Sequence, residues 1–155
     1  MIRWARLSLL TALVIAGGSC EALRAGAAKS SYIDDQTRQH VYAQSIAQIW
    51  PGVRQLLFER GFEVRDSDVA GSFAIETAPS LGYDGKTRVD YLILGTKISE
   101  ASCRVEFTKR ETGPTGIRSQ RDLDLEWVLL QRVDPQSAAR IESEANEAAR
   151  QARDG

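Results

Sequence analysis

The sequence predicts an α+β domain, an antiparallel sheet of four to five strands with helices packed on one face. Three observations predict it. Ile46, Ile49, Trp50, Val53, Leu56 and Leu57 recur at helical spacing ahead of the strands. Runs of alternating apolar and polar residues then follow one another from Phe62 to Lys109, separated by turns and loops rather than helices. A second helical stretch closes the chain, so helices and strands are segregated, as in an α+β fold.

The chain has 155 residues and a net charge of −1. It opens with Met-Ile-Arg-Trp-Ala-Arg, a largely apolar run from Leu7 to Ala16, and Gly17-Gly18-Ser19-Cys20. A basic head, a short apolar middle and a small-residue exit have the form of a secretory signal peptide over residues 1–19. A membrane-spanning helix needs about 20 apolar residues, and this run is far shorter. Arg3 and Arg6 suit the cytoplasmic side, and the glycines are expected to break the helix and offer a narrow backbone to a peptidase. The segment resembles that of a bacterial lipoprotein, which is cut before its cysteine and carries lipid on the sulfur. Cys20 is the expected lipid-attachment residue. Ser19 fits the pattern, whereas Gly17 stands where a branched apolar residue is usual. A cut after Gly18, with Ala16 and Gly18 as the small pair, would release a soluble periplasmic protein instead. Ala25-Gly26-Ala27 has the same small-residue form farther from the apolar run.

Residues 20–36, rich in Ala, Gly, Ser and Lys, read as the lipidated cysteine followed by a flexible tether. A single α+β domain is expected over 37–133 and a C-terminal helix over 134–155. Loss of Arg3 and Arg6 with the signal segment deepens the acidic excess, so no basic surplus exists to follow a nucleic-acid backbone. Cys103 lies in the alternating run Cys103-Arg104-Val105-Glu106-Phe107 and reads as a small buried hydrophobe. A Cys20–Cys103 bridge becomes possible only if Cys20 carries no lipid.

Within the domain, a short strand is expected near Arg38–Ala43. Ser45 and Gln48 then form a capping box for the first helix. Pro51 should kink that helix or begin its main body, and Gly61 should end it. Phe62 and Val64 lead into a hairpin, with a turn over Asp66–Gly71 and a second strand through Phe73 and Ile75. After a loop containing Pro79, Gly82 and Gly85, Arg88–Ser99 is a long strand with Val89, Tyr91 and Ile93 on one side. Leu92, Leu94 and Ile98 point to the other, so both faces should be partly covered. Cys103–Lys109 pairs back, and Glu111–Ser119 is a loop. Leu123, Trp127 and Leu130 suit one face of a helix, and Trp50 and Trp127 should be core. Asp134-Pro135 reads as an N-cap followed by a first-turn proline. Ala138, Ile141, Ala145, Ala148 and Ala152 form a shallow stripe on the last helix, for loose packing on the domain or for a partner.

Chemistry-bearing patterns are sparse. His40, the sole histidine, falls in the expected first strand as a surface or edge residue. One histidine and one spare cysteine do not make a tetrahedral zinc site. Asp66-Ser67-Asp68-Val69-Ala70-Gly71 imitates the start of a calcium loop, but its fifth and twelfth positions, Ala70 and Thr77, lack the required ligands. Asp122, Asp124 and Glu126, close to Arg118, Arg121 and Arg132, read as a solvated face. No phosphate-cradling glycine loop and no nucleophile elbow occur. No catalytic residue, cofactor or metal is expected, and the chain reads as a non-enzyme.

From Ile49-Trp50-Pro51 through Gly61-Phe62 and the Asp66-Ser67-Asp68 turn to Glu76-Thr77, the chain is similar to BamC-type envelope lipoproteins. Cys20 matches their lipid site. The resemblance implies a helix-grip domain, in which a long helix packs on an antiparallel sheet, and an accessory role beside the outer-membrane β-barrel assembly machinery. Those proteins have two such domains and a long unstructured leader, whereas this chain has room for one. The expected function is therefore binding or scaffolding in the cell envelope. It would be exerted from the periplasmic face of the outer membrane, with palmitate or a similar acyl chain on Cys20 and envelope proteins as partners. Glu21 stands where aspartate would retain a lipoprotein in the inner membrane. The alternative is a periplasmic carrier of a small apolar ligand, held between helix and sheet.

Overall fold

A computed structural model describes the backbone of residues 11–67, 73–82 and 84–154, and side chains from residue 21 onward. Its elements are α1 (Thr11–Gln39), α2 (Ile46–Glu59), β1 (Val64–Asp66), β2 (Phe73–Thr77), β3 (Ser80–Leu81), β4 (Arg88–Ser99), β5 (Ser102–Gly113), β6 (Gly116–Arg121), α3 (Leu123–Val133) and α4 (Pro135–Asp154). The fold is α+β, as the sequence predicts. Two compact units are present: Thr37–Ala138, and the flanking segments up to Gln36 and from Ala139. The domain thus keeps the first turn of α4, which the sequence reading assigned to the C-terminal helix.

The Thr37–Ala138 unit is built on an antiparallel sheet of order β1-β2-β4-β5-β6, with β3 added to β4. The β4–β5 ladder runs from Arg88↔Thr112 to Ser99↔Ser102. The register puts Ile75, Ile93 and Phe107 side by side on one face, and all three are fully buried. α2 and α3 cover that face. Ile49, Val53, Leu56 and Leu57 of α2 and Leu129 and Leu130 of α3 are each at most 1% exposed. Cys103 is buried beside Val105 and Phe107, as expected.

α2 starts where the capping residues place it. The Gln48 side chain accepts from the Ser45 backbone N–H and from its hydroxyl, both at 2.9 Å. The helix is continuous through Pro51, which removes one backbone donor without starting or ending the element. At its end Gly61 takes φ 78°. Its N–H donates to the Phe58 carbonyl and that of Phe62 to the Leu57 carbonyl, a paired closure that needs a left-handed residue at Gly61.

α2 lies unusually close to the sheet. A Cβ placed on Gly95 of β4 would fall 2.5 Å from Ile46 Cδ1 and 3.0 Å from Trp50 Cζ3. One on Gly52 would fall 2.9 Å from Val133 Cγ1 of α3. Two glycines therefore set the helix–sheet and helix–helix distances.

Several elements differ from the sequence reading. Arg38–Ala43 is not a strand: α1 runs to Gln39, and only Tyr42 joins the sheet, as an isolated bridge to Cys103. Glu111–Ser119 is not a loop. β5 extends to Gly113, turns at Pro114-Thr115, and β6 pairs back as far as Thr108↔Arg121. β6 is exposed at every residue before Arg121, so no burial pattern marked it. α3 buries Leu125, Glu126, Leu129 and Leu130, and its face is rotated from the one expected. Trp127 is only half-buried, whereas Trp50 is core. Leu92 and Leu94 are half-buried on the face opposite α2 and α3, and Ile98 is 53% exposed.

The other unit pairs α1 with α4. Residues 21–36 are helical, not a flexible tether, and Gly17-Gly18-Ser19 lies inside α1 rather than breaking it. Ala22, Ala25, Ala27 and Ala28 have the highest intrinsic helix propensity, which outweighs Gly26 and the serines. The two helices run antiparallel, with Ala22 beside the last turns of α4 and Tyr32 beside Glu144. Tyr32 donates to Glu144 at 2.9 Å, and Lys29 lies 3.8 Å from Glu142. Ala25, Ile141 and Ala145 are at most 5% exposed, so the alanine stripe of α4 finds apolar cover from this unit. The basic head, Met1–Leu10, lies outside the described residues, as does most of the Asp66–Gly71 turn.

Gly95→Ala is expected to destabilise the domain by about 1–3 kcal/mol, because the added methyl must push back Ile46 and Trp50. Urea denaturation measures this; an unchanged midpoint would mean that α2 does not sit on Gly95.

Candidate functional site

The one site residue the sequence singles out, Cys20, belongs to α1. Its side chain lies outside the described residues, two positions before Ala22 and the groove that α1 shares with α4. Among the described residues no helix is long and apolar enough to cross a membrane. They hold no cluster of three potential metal-ligating side chains.

His40 is half-buried, not a surface strand residue. It follows α1, packs edge-on against Tyr42 with ring centroids 4.6 Å apart, and has Nε2 3.6 Å from the Asp134 carboxylate. Asp134 itself caps α4, accepting from Ser137 N at 3.1 Å, as Asp134-Pro135 suggested.

In the Thr37–Ala138 unit a cleft of about 340 Å³ opens where the end of α2, β4 and the start of α3 meet. Its floor is apolar: Phe62, Tyr91, Leu125 and Val128. Phe62 arrives there because the Gly61 turn reverses the chain at the end of α2. Its ring meets Tyr91 in a T-shaped contact, centroids 5.0 Å apart. Arg60, Asp122 and Asp124 supply the polar edge. The Tyr91 hydroxyl donates to Asp122 Oδ2 at 2.9 Å, while Asp122 Oδ1 accepts from Leu125 N at 3.0 Å as the N-cap of α3. Burial, then the neighbouring Asp122 charge, pushes the Tyr91 phenol well above its ordinary range. Tyr91 therefore stays a neutral donor. Both oxygens of Asp122 are engaged in holding α3 and Tyr91.

Asp122, Asp124 and Glu126 are not one solvated face. Asp124 is exposed, Asp122 is a cap, and Glu126 is 3% exposed. The chain leaves β6 after Arg121, and Asp122 N donates to the Phe107 carbonyl at 2.8 Å. The Asp122 carbonyl turns away into α3, where it accepts from Glu126 N. The Glu126 carboxylate takes its place, accepting from Phe107 N at 3.0 Å. Arg121 Nε and Nη2 bind the same carboxylate at 2.7 and 2.8 Å, and Nη2 also reaches the Arg38 carbonyl at 3.1 Å. Burial raises the Glu126 pKa, and Arg121 and the Phe107 N–H offset only part of that rise.

Nothing in the sequence joins Arg60 and Phe62 to Tyr91 and Asp122. The alternation of β4 placed Tyr91 on the correct face. Its partner lies beyond β5 and β6, and the β6 segment reads as loop. No family model, no curated protein and no solved structure matches the chain.

Tyr91→Phe removes one hydrogen bond and is expected to cost about 1 kcal/mol. Asp122→Ala removes that bond and the cap together and should cost more, about 2 kcal/mol; equal losses in urea denaturation would contradict this geometry. The raised pKa of Glu126 means the folded state holds its proton more tightly than the unfolded chain. The stability this gives is complete below the ordinary value of 4.5 and is lost as pH rises through the folded-state pKa. Wild type should therefore lose stability relative to Glu126→Gln as the pH is raised beyond 4.5; parallel pH profiles would show that the carboxylate titrates normally.

Proposed function

We propose that this chain is an exported lipoprotein, anchored through Cys20, whose α+β domain binds or scaffolds other proteins in the bacterial cell envelope. The observation that carries the reading is the opening segment: two arginines, a short apolar run, and Gly17-Gly18-Ser19-Cys20. The proposed place is the periplasmic face of the outer membrane, with Glu21 after the cysteine as the supporting residue. The role we infer is an accessory one beside the β-barrel assembly machinery, like that of BamC-type proteins.

A scaffolding role, rather than that of a carrier, draws support from the interior of the domain. The space beneath α2 is filled by Ile46, Ile49, Trp50 and Val53 against β4 and β5, and Gly95 is needed to let the helix in. A carrier would need that space for its ligand. The open cleft at Phe62 and Tyr91 is the best place for a small ligand in the alternative reading. Protein partners have more to engage. β6 is an exposed edge strand carrying Ile117 at 74% exposure, and Phe58 and Leu81 also face outward.

The anchor is tested by expressing the full chain and Cys20→Ser with labelled palmitate in a Gram-negative host. Wild type should take the label and fractionate with the outer membrane, and Cys20→Ser should do neither. An unlabelled wild type found free in the periplasm would overturn the anchor. Crosslinking in intact cells should then recover envelope proteins from the wild type.

A further inference from the structure

We propose that the end of the α1–α4 pair nearest Cys20 is a docking surface for the anionic headgroups of a lipid bilayer. The proposal rests on the Cys20 anchor described above and adds a second, electrostatic contact to it.

The antiparallel pairing brings the last turns of α4 beside residues 22–29 of α1. There the two helices share an open groove of about 450 Å³. Ala22, Gly26 and Ala149 keep it wide, because none of them has a long side chain to fill it. Lys29, Arg150 and Arg153 line it, and no carboxylate does. Lys29 has a partner in Glu142 at 3.8 Å and Arg150 one in Glu147 at 3.4 Å. Both pairs are exposed, and pairs of that kind are weak and readily exchanged for another anion. Guanidinium groups offer forked donors that match phosphate oxygens. Glu21, Glu147 and Asp154 lie on the same helix ends and hold the net charge down. The attraction therefore belongs to the groove and not to the unit as a whole.

Position selects the occupant. An α-helix rises 1.5 Å per residue, so Ala22 to Gly26 lie about 3–9 Å along the axis from Cys20. The polar layer of one bilayer leaflet is about 5–8 Å deep. A chain held by lipid on Cys20 brings the groove to headgroup level, where phosphate is concentrated and a weak site fills because it is tethered. Leu23, 73% exposed on the same turn of α1, is suited to the apolar side of that layer.

The test uses the protein purified from host membranes and reconstituted in vesicles, with a spin label on Ala27→Cys, an exposed position outside the groove. Label accessibility to a water-soluble nickel chelate is compared in phosphatidylcholine alone and in phosphatidylcholine mixed with phosphatidylglycerol. Accessibility should fall severalfold in the anionic vesicles. The fall should disappear in raised salt and in the triple variant Lys29→Gln/Arg150→Gln/Arg153→Gln, whose helicity is checked by circular dichroism. Equal accessibility in the two vesicles overturns the proposal, and so does an anionic response that survives the triple variant. Palmitate labelling of the same preparation reads the anchor separately. A labelled chain without the response removes the docking surface alone, and an unlabelled chain that responds counts for the surface while removing the anchor.

Discussion

β5 is paired with β4 along one edge, and three different kinds of partner meet its other edge. β4 covers one edge throughout. On the other, Tyr42 pairs with Cys103, the Asp122 N–H and the Glu126 carboxylate serve Phe107, and β6 takes over from Thr108. Each partner comes from a different part of the chain. The linker after α1, the first turn of α3 and the end of β6 are thereby fixed to one strand. A buried strand edge cannot be left without hydrogen bonds, so this requirement decides where those segments run. Glu126 is the unusual member, because a side chain does what a backbone carbonyl does elsewhere in the ladder. Its burial is made tolerable by Arg121, which also reaches back to Arg38.

The parts of the fold that the sequence made legible are those whose pattern is local. α2 could be read from its spacing, its Ser45–Gln48 start and its Gly61 end, and β4 from alternation that runs from Arg88 to Ser99. The parts that were hidden depend on partners far away in the chain. β6 is polar and exposed, and becomes a strand only because β5 is already there to pair with it. Arg38–Ala43 has the look of a strand but contributes a single bridge, since α1 continues through its first residues. Glu126 looks solvated from its neighbours in the sequence, although its surroundings are set by Phe107 and Arg121. The cleft was equally hidden, because the Phe62–Tyr91 and Tyr91–Asp122 contacts cross the sheet and not the sequence.

The α1–α4 pair shows a different limit. Alanine-rich segments are ambiguous when read singly: each is a good helix former with a shallow apolar face, and isolated helices are marginal in water. Two such faces placed together become a structure. Ala25, Ile141 and Ala145 are buried, although neither segment looks like core. The small residues that make the pairing close are also what leaves room for the cationic groove at its end.

Cys103 gives the domain a property that follows from burial alone. Its thiol is fully enclosed, and desolvation holds its pKa above the ordinary range. Thiol exchange requires an accessible thiolate. The folded domain thus withholds this sulfur from thiol exchange, whereas a chain whose β5 edge has come apart exposes it. Exposure and loss of pairing coincide at this residue, since its own backbone groups bond to Tyr42.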